Sequence, residues 1–109
     1  MKRLFSLFVI AVFGALYAFS QDNYPVVLER EVKSEILGAS KKYCIYLPAG
    51  YGDEDKAFPV LYLLHGLTDT YTAWRDKGNM EVIATEVFAS GKALEMVIVM
   101  PDAGTTFDG

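Results

Sequence analysis

Apolar and polar residues alternate through "YPVVLEREVKSEIL", residues 24–37, with Glu29, Glu31, Lys33 and Glu35 on one side. That period of two predicts a strand with one solvated face. Gly38-Ala39-Ser40 breaks it, and "KKYCIYLP" follows, rich in β-branched and aromatic residues with Tyr43, Ile45 and Leu47 on a common face. The two segments predict an antiparallel hairpin closed by Pro48. "AGYGDEDKAF" then reads as a surface loop, from its glycines and charges. Phe58 to Leu64 has a different pattern, apolar on both faces, which predicts a strand covered by helices on each side. Gly66 to Gly78 reads as a polar loop carrying Trp74 and Arg75. After it, Met80, Ile83, Ala84, Val87 and Phe88 recur at the spacing of one helix face, with Asn79 placed to cap the start and Gly91 to end it. "EMVIVMP" is a second strand apolar on both faces, ending at Pro101-Asp102.

The order is therefore a β-hairpin, a buried strand, a loop, a helix and a buried strand. A strand, a helix and a strand in that order predict a right-handed crossover and an open α/β sheet. One helix and two inner strands cannot cover both faces of such a sheet, so the chain is expected to be the N-terminal portion of a longer domain. No internal repeat or low-complexity segment interrupts it.

Residues 1–20 stand apart. Lys2 and Arg3 precede an uncharged apolar stretch from Leu4 to about Ala18, and Ala18 and Ser20 flank Phe19 as small residues flank a cleavage site. The expectation is a secretion signal at 1–20 cleaved after Ser20, with an uncleaved membrane anchor as the alternative reading, a domain at 21–109, no stable membrane association after cleavage, and a secreted or periplasmic protein. The single cysteine of the chain, Cys44, excludes an internal disulfide, so burial alone must hold residues 21–109 together. A net charge of −4 provides no basic footprint for a nucleic acid. Nucleic acid is not an expected partner.

Candidate chemistry converges on one edge. Ligands of open α/β sheets sit beyond the carboxyl ends of the strands, and both buried strands end there in polar residues, His65-Gly66 and Asp102-Ala103-Gly104. His65, the only histidine, has three readings. As a base or metal ligand it lacks company: Ser34, Ser40 and Ser90 lie in no G-x-S-x-G elbow, and a lone histidine with Asp69 or Asp102 has no ligand spacing. As a structural residue it closes the strand through local hydrogen bonds. As a marker it introduces Gly66, whose turn would point the backbone N–H of Leu67 into the crevice, as one half of an oxyanion hole does.

Four segments, "IYLPAGY", "FPVLYLLHGLTDTYTAW", "NMEVIATEVFASGK" and "MVIVMPDAG", together resemble the N-terminal part of the "putative esterase" family of the α/β-hydrolase superfamily. That family includes esterase D (S-formylglutathione hydrolase), secreted feruloyl and acetylxylan esterases, and mycobacterial mycolyltransferases. The resemblance runs from about Ser34 to Asp102. It implies an antiparallel hairpin leading into a mixed, mostly parallel sheet with a crossover helix. It also implies that Leu67 gives the first oxyanion donor, that His65 and Gly66 shape the hole, that Trp74 lies in the loop beside it, and that Asp102 is an acid at the neighbouring strand end. The family's serine, acid and base all lie further along its chain, so residues 1–109 hold no nucleophile. The activity it implies is serine-dependent hydrolysis of a small-molecule or polysaccharide ester, with no cofactor and no metal. Acyl transfer to an alcohol and a non-catalytic secreted binding module are the alternatives.

Overall fold

The computed structural model describes residues 23–104; the expected secretion signal at 1–20 lies outside the described residues, as do residues 105–109. Strands β1 (Val26–Ser34) and β2 (Ala39–Leu47) form the predicted antiparallel hairpin, paired from Val26 with Leu47 to Ser34 with Ala39. Its turn lies earlier than the pattern predicts. Ala39 and Ser40 belong to β2, the reversal falls on residues 35–38, and Gly38 ends it at φ 62°, a conformation that costs glycine nothing.

Past a 3-10 turn at Ala49–Gly52, the chain runs through β3 (Val60–Tyr62), a one-turn helix α1 (Ala73–Asp76), a longer helix α2 (Met80–Ala89) and β4 (Val97–Pro101). β4 lies antiparallel to β2 and parallel to β3, so the sheet is mixed, as expected, in the order β1-β2-β4-β3. α1 falls inside the segment that reads as plain loop, because four residues are too few to display a helical period.

The core lies on one face of this sheet. Met80 of α2 is buried with Cys44 and Tyr46 of β2 and Ile98 and Met100 of β4, and Ala84 and Phe88 pack against them. Tyr46 is the largest buried side chain; its ring meets Phe88 and its hydroxyl shares a 3.0 Å hydrogen bond with Thr85 Oγ1. Burial pushes the Cys44 thiol up from its ordinary pKa, so this cysteine packs as a small apolar residue. Tyr43, Ile45 and Leu47 do share the opposite face, together with Val26 and Leu28 of β1.

Two expectations fail. Cover on both faces of the Phe58–Leu64 run is not found among the described residues: β3 ends the strand order, and Val60, Leu61 and Tyr62 are all exposed. α2 sits over β2 and β4 instead, which leaves its Ile83 half exposed beside an apolar groove of about 350 Å3 shared with Leu61, Leu63 and Trp74. Asn79 does begin α2, but its side chain caps nothing and its backbone is left-handed at φ 50°. Asparagine tolerates that state, so Asn79 serves the reversal into the helix and not the helix end. Gly91, at φ 74°, follows the helix end as expected.

Candidate active site

The parallel pairing of β3 with β4 brings the carboxyl ends of both strands to one edge, and with them His65, Gly66 and Asp102. The His65 side chain is only 7% exposed. Its Nε2 accepts the backbone N–H of Ala103 at 3.0 Å. A backbone amide can only donate, so the neutral ring carries its proton on Nδ1, and that group donates to the Gly66 carbonyl at 2.7 Å. Both ring nitrogens are thereby committed. His65 ties one strand end to the other and is not placed to act as a base.

This hydrogen bond has a consequence one atom further on. The Gly66 carbonyl also accepts the N–H of Asp69 at 3.1 Å, which closes a turn with Leu67 and Thr68 at its centre. A peptide unit is planar and trans, so a carbonyl held by two donors turns the Leu67 N–H of the same plane the opposite way. Among the described residues that N–H has no acceptor, and the Leu67 side chain is 94% exposed. The direction of this donor is thereby fixed. Gly66 itself is not left-handed, and a Cβ there would meet only Asp69 Oδ2 at 3.7 Å. Its φ is therefore not one that only glycine adopts.

Trp74 stands on α1 with its indole N–H donating to the Leu64 carbonyl at 2.9 Å. It lines a cavity of about 180 Å3 with His65, Gly66, Asp69, Lys77 and Gly78, in which Lys77 and Asp69 form an ion pair. Gly78 is held against it: a Cβ at Gly78 would lie 2.8 Å from the Trp74 carbonyl oxygen and 2.9 Å from ring atom Cε3. Gly78→Ala is accordingly expected to destabilise the protein by about 1–3 kcal/mol through overpacking. Urea denaturation measures this, and a variant as stable as the parent would show that the contact relaxes freely.

Asp102 turns inward on its own loop. Its Oδ1 accepts the Gly104 N–H at 2.9 Å, while Lys41 of β2 donates to the Gly104 carbonyl at 2.7 Å. Asp102 and His65 stand 3.8 Å apart without a hydrogen bond between them. Structural work thus occupies Asp102.

The loop's link to β1 was not legible in the sequence. Arg75 donates to Glu29 Oε2 at 3.0 Å and to Asp76 Oδ1 at 2.7 Å, and Tyr71 donates to Glu29 Oε1 at 2.8 Å. The Tyr71 hydroxyl and the Arg75 guanidinium hold the Glu29 carboxyl below its ordinary pKa, and Arg75 does the same to Asp76. The Glu29 carboxylate in turn pushes the Tyr71 hydroxyl up. Glu29 and Arg75 are 46 positions apart, too far for any local spacing rule to connect. Among the described residues no group of three or more His, Cys, Asp or Glu is gathered to hold a metal, and no helix is long and apolar enough to cross a membrane.

Residues 34–107 match the model of the family described as "Putative esterase". The chain is 33% identical over 89 residues to an endo-1,4-beta-xylanase/feruloyl esterase of Xylanibacter ruminicola, covering 77% of this chain and 12% of that protein. A solved ferulic acid esterase superposes with a TM-score of 0.70 at 35% identity, covering 74% of this chain and 32% of its own. A ferulic acid esterase of Anaeromyces mucronatus, solved in complex with ferulic acid, gives 0.66 at 32% identity, with 83% and 34% covered. An S-formylglutathione hydrolase of Agrobacterium tumefaciens shares the fold with a TM-score of 0.57 at 24% identity, over 82% of this chain and 30% of that one.

Proposed function

The chain belongs to the putative esterase family and has its α/β-hydrolase fold, and from that premise we propose that the whole protein is a secreted serine carboxylic-ester hydrolase. Residues 21–109 form the N-terminal portion of its catalytic domain. The chain spans about an eighth of its curated relative and about a third of the solved esterases, so most of the machinery of such an enzyme belongs to residues outside 1–109. The preferred substrate class is a hydroxycinnamoyl ester of a plant polysaccharide, a reading supported by the relatives named for feruloyl ester cleavage. Hydrolysis of such a polymer takes place outside the cell, in keeping with a secretion signal at 1–20.

The observation that supports this reading is the oriented N–H of Leu67 in the turn beyond the carboxyl end of β3, which has no acceptor among the described residues. Attack by a serine hydroxyl on the ester carbonyl gives a tetrahedral intermediate whose oxygen becomes negative. A preorganised N–H stabilises that oxygen more than it stabilises the neutral carbonyl, which lowers the barrier. Collapse releases the alcohol, and water then frees the acid from the acyl-enzyme. His65 orients the donor through the Gly66 carbonyl; the base belongs elsewhere in the protein.

Purified whole protein incubated with 4-nitrophenyl acetate, methyl ferulate and feruloylated arabinoxylan is expected to release product from all three. Treatment with a serine-directed sulfonyl fluoride is expected to abolish release. Turnover that survives the reagent, or its absence on every ester, would remove the proposal. Product carrying the acyl group on an added alcohol, in preference to free acid, would make the protein an acyltransferase instead.

A further inference from the structure

We infer that Arg75 is a positioning residue for the ester hydrolysis proposed above, holding the segment that carries the Leu67 donor by anchoring it across the sheet to Glu29. The inference rests on that functional reading and adds a device that acts at a distance. The segment from Gly66 to Gly78 leaves the sheet beyond β3 and, past the His65 bond to the Gly66 carbonyl, is fastened at two further places. One is the Trp74 indole on the Leu64 carbonyl, close to where the segment departs. The other reaches over β2: Glu29 pairs with Cys44 in the hairpin register, and the Arg75 guanidinium extends over Cys44, 3.8 Å from its Sγ, to reach the Glu29 carboxylate. Tyr71 takes the second oxygen of the same carboxylate, so Glu29 grips the segment both before and within α1.

Asp76 fixes the remaining face of the guanidinium, with Nε and one terminal nitrogen directed at its two oxygens at 2.7 and 3.3 Å. Arginine presents its donors in a rigid planar fork, so two carboxylates on different elements define its plane. Leu67 and Thr68 lie between the anchored β3 end and this grip. The cluster is partly exposed, with 30% of the Arg75 side chain and 52% of the Glu29 side chain open to solvent. Exposed ion pairs contribute little to global stability. Its effect is therefore expected in the geometry of the segment, and a small displacement of a catalytic donor carries a large rate penalty.

The test uses the whole protein and Arg75→Met, which keeps an apolar stem over Cys44 but loses the fork, beside an Arg75→Glu/Glu29→Arg exchange. With methyl ferulate, Arg75→Met is expected to lower kcat by about 10- to 100-fold while KM stays within about twofold. Amide hydrogen exchange in peptides covering 66–72 is expected to accelerate, with exchange in β2 and β4 unchanged, and the exchange pair is expected to restore part of both. Unchanged exchange in 66–72 overturns the inference whether or not the protein hydrolyses esters. Turnover by the parent together with an unaltered kcat in Arg75→Met overturns it too, and leaves the esterase reading standing. A lowered kcat matched by an equal loss of folded protein assigns Arg75 to the scaffold and likewise overturns it.

Discussion

Replacing Leu67 by proline in the whole protein is expected to lower kcat for ester hydrolysis by about 10²- to 10³-fold, the usual cost of one lost oxyanion donor. Proline removes the N–H and little else here. Leu67 occupies the second position of the turn closed by Asp69 N–H on the Gly66 carbonyl, where proline is favoured in the common turn types. The residue before it is glycine, which accommodates the restriction that proline imposes on its predecessor. The leucine side chain is almost fully exposed, so its loss costs the core nothing. Leu67→Ala supplies the control: it keeps the N–H and is expected to retain activity within about twofold, since only the side chain has gone. Steady-state kinetics on 4-nitrophenyl acetate separate the two. Should the alanine and proline variants lose activity equally, the backbone donor would not be the operative group.

Tyr46→Ala is expected to destabilise the protein by about 3–5 kcal/mol, the range for truncating a buried aromatic ring. Tyr46 joins three elements: it belongs to β2, pairs with Ile98 of β4 in the strand register, and bonds Thr85 of α2. Its removal leaves a cavity in the cluster that includes Met80, with Phe88 packed against it. Tyr46→Phe separates the hydroxyl from the ring and is expected to cost about 1 kcal/mol, the price of one hydrogen bond. Denaturant midpoints of the two variants and the parent give both numbers. An alanine variant within 1 kcal/mol of the parent would mean that other parts of the protein, and not this ring, hold α2 to the sheet.

The elements that sequence made legible are those whose period is long enough to read. The α2 stripe shows five apolar positions at helical spacing, and its end at Gly91 follows from one glycine at positive φ. The hairpin was legible for the same reason, and the strand ending at Pro101 from its unbroken apolar run. α1 was not, because a single turn has no period, and the exposed face of Ile83 was not, because periodicity gives the apolar side of a helix but not how far the sheet extends beneath it. At the site, the clustering of His65, Gly66 and Asp102 followed from strand ends alone. The roles within it did not. The choice of histidine tautomer depends on Ala103, 38 positions away, and the grip of Arg75 depends on a β1 carboxylate whose sequence pattern marks it only as solvent-facing.

The strand order β1-β2-β4-β3 also bears on how the chain folds as it is made. The hairpin β1-β2 involves neighbours in sequence and can form as soon as residue 47 has emerged. β3 has no partner at that stage, since β4 must come between it and β2. Until β4 is synthesised, two strand edges stand open side by side, a state prone to pairing with other chains. β4 comes last among these four and closes both edges at once, so the four-stranded sheet, and with it the alignment of His65 with Ala103, can assemble only once residue 103 has been made.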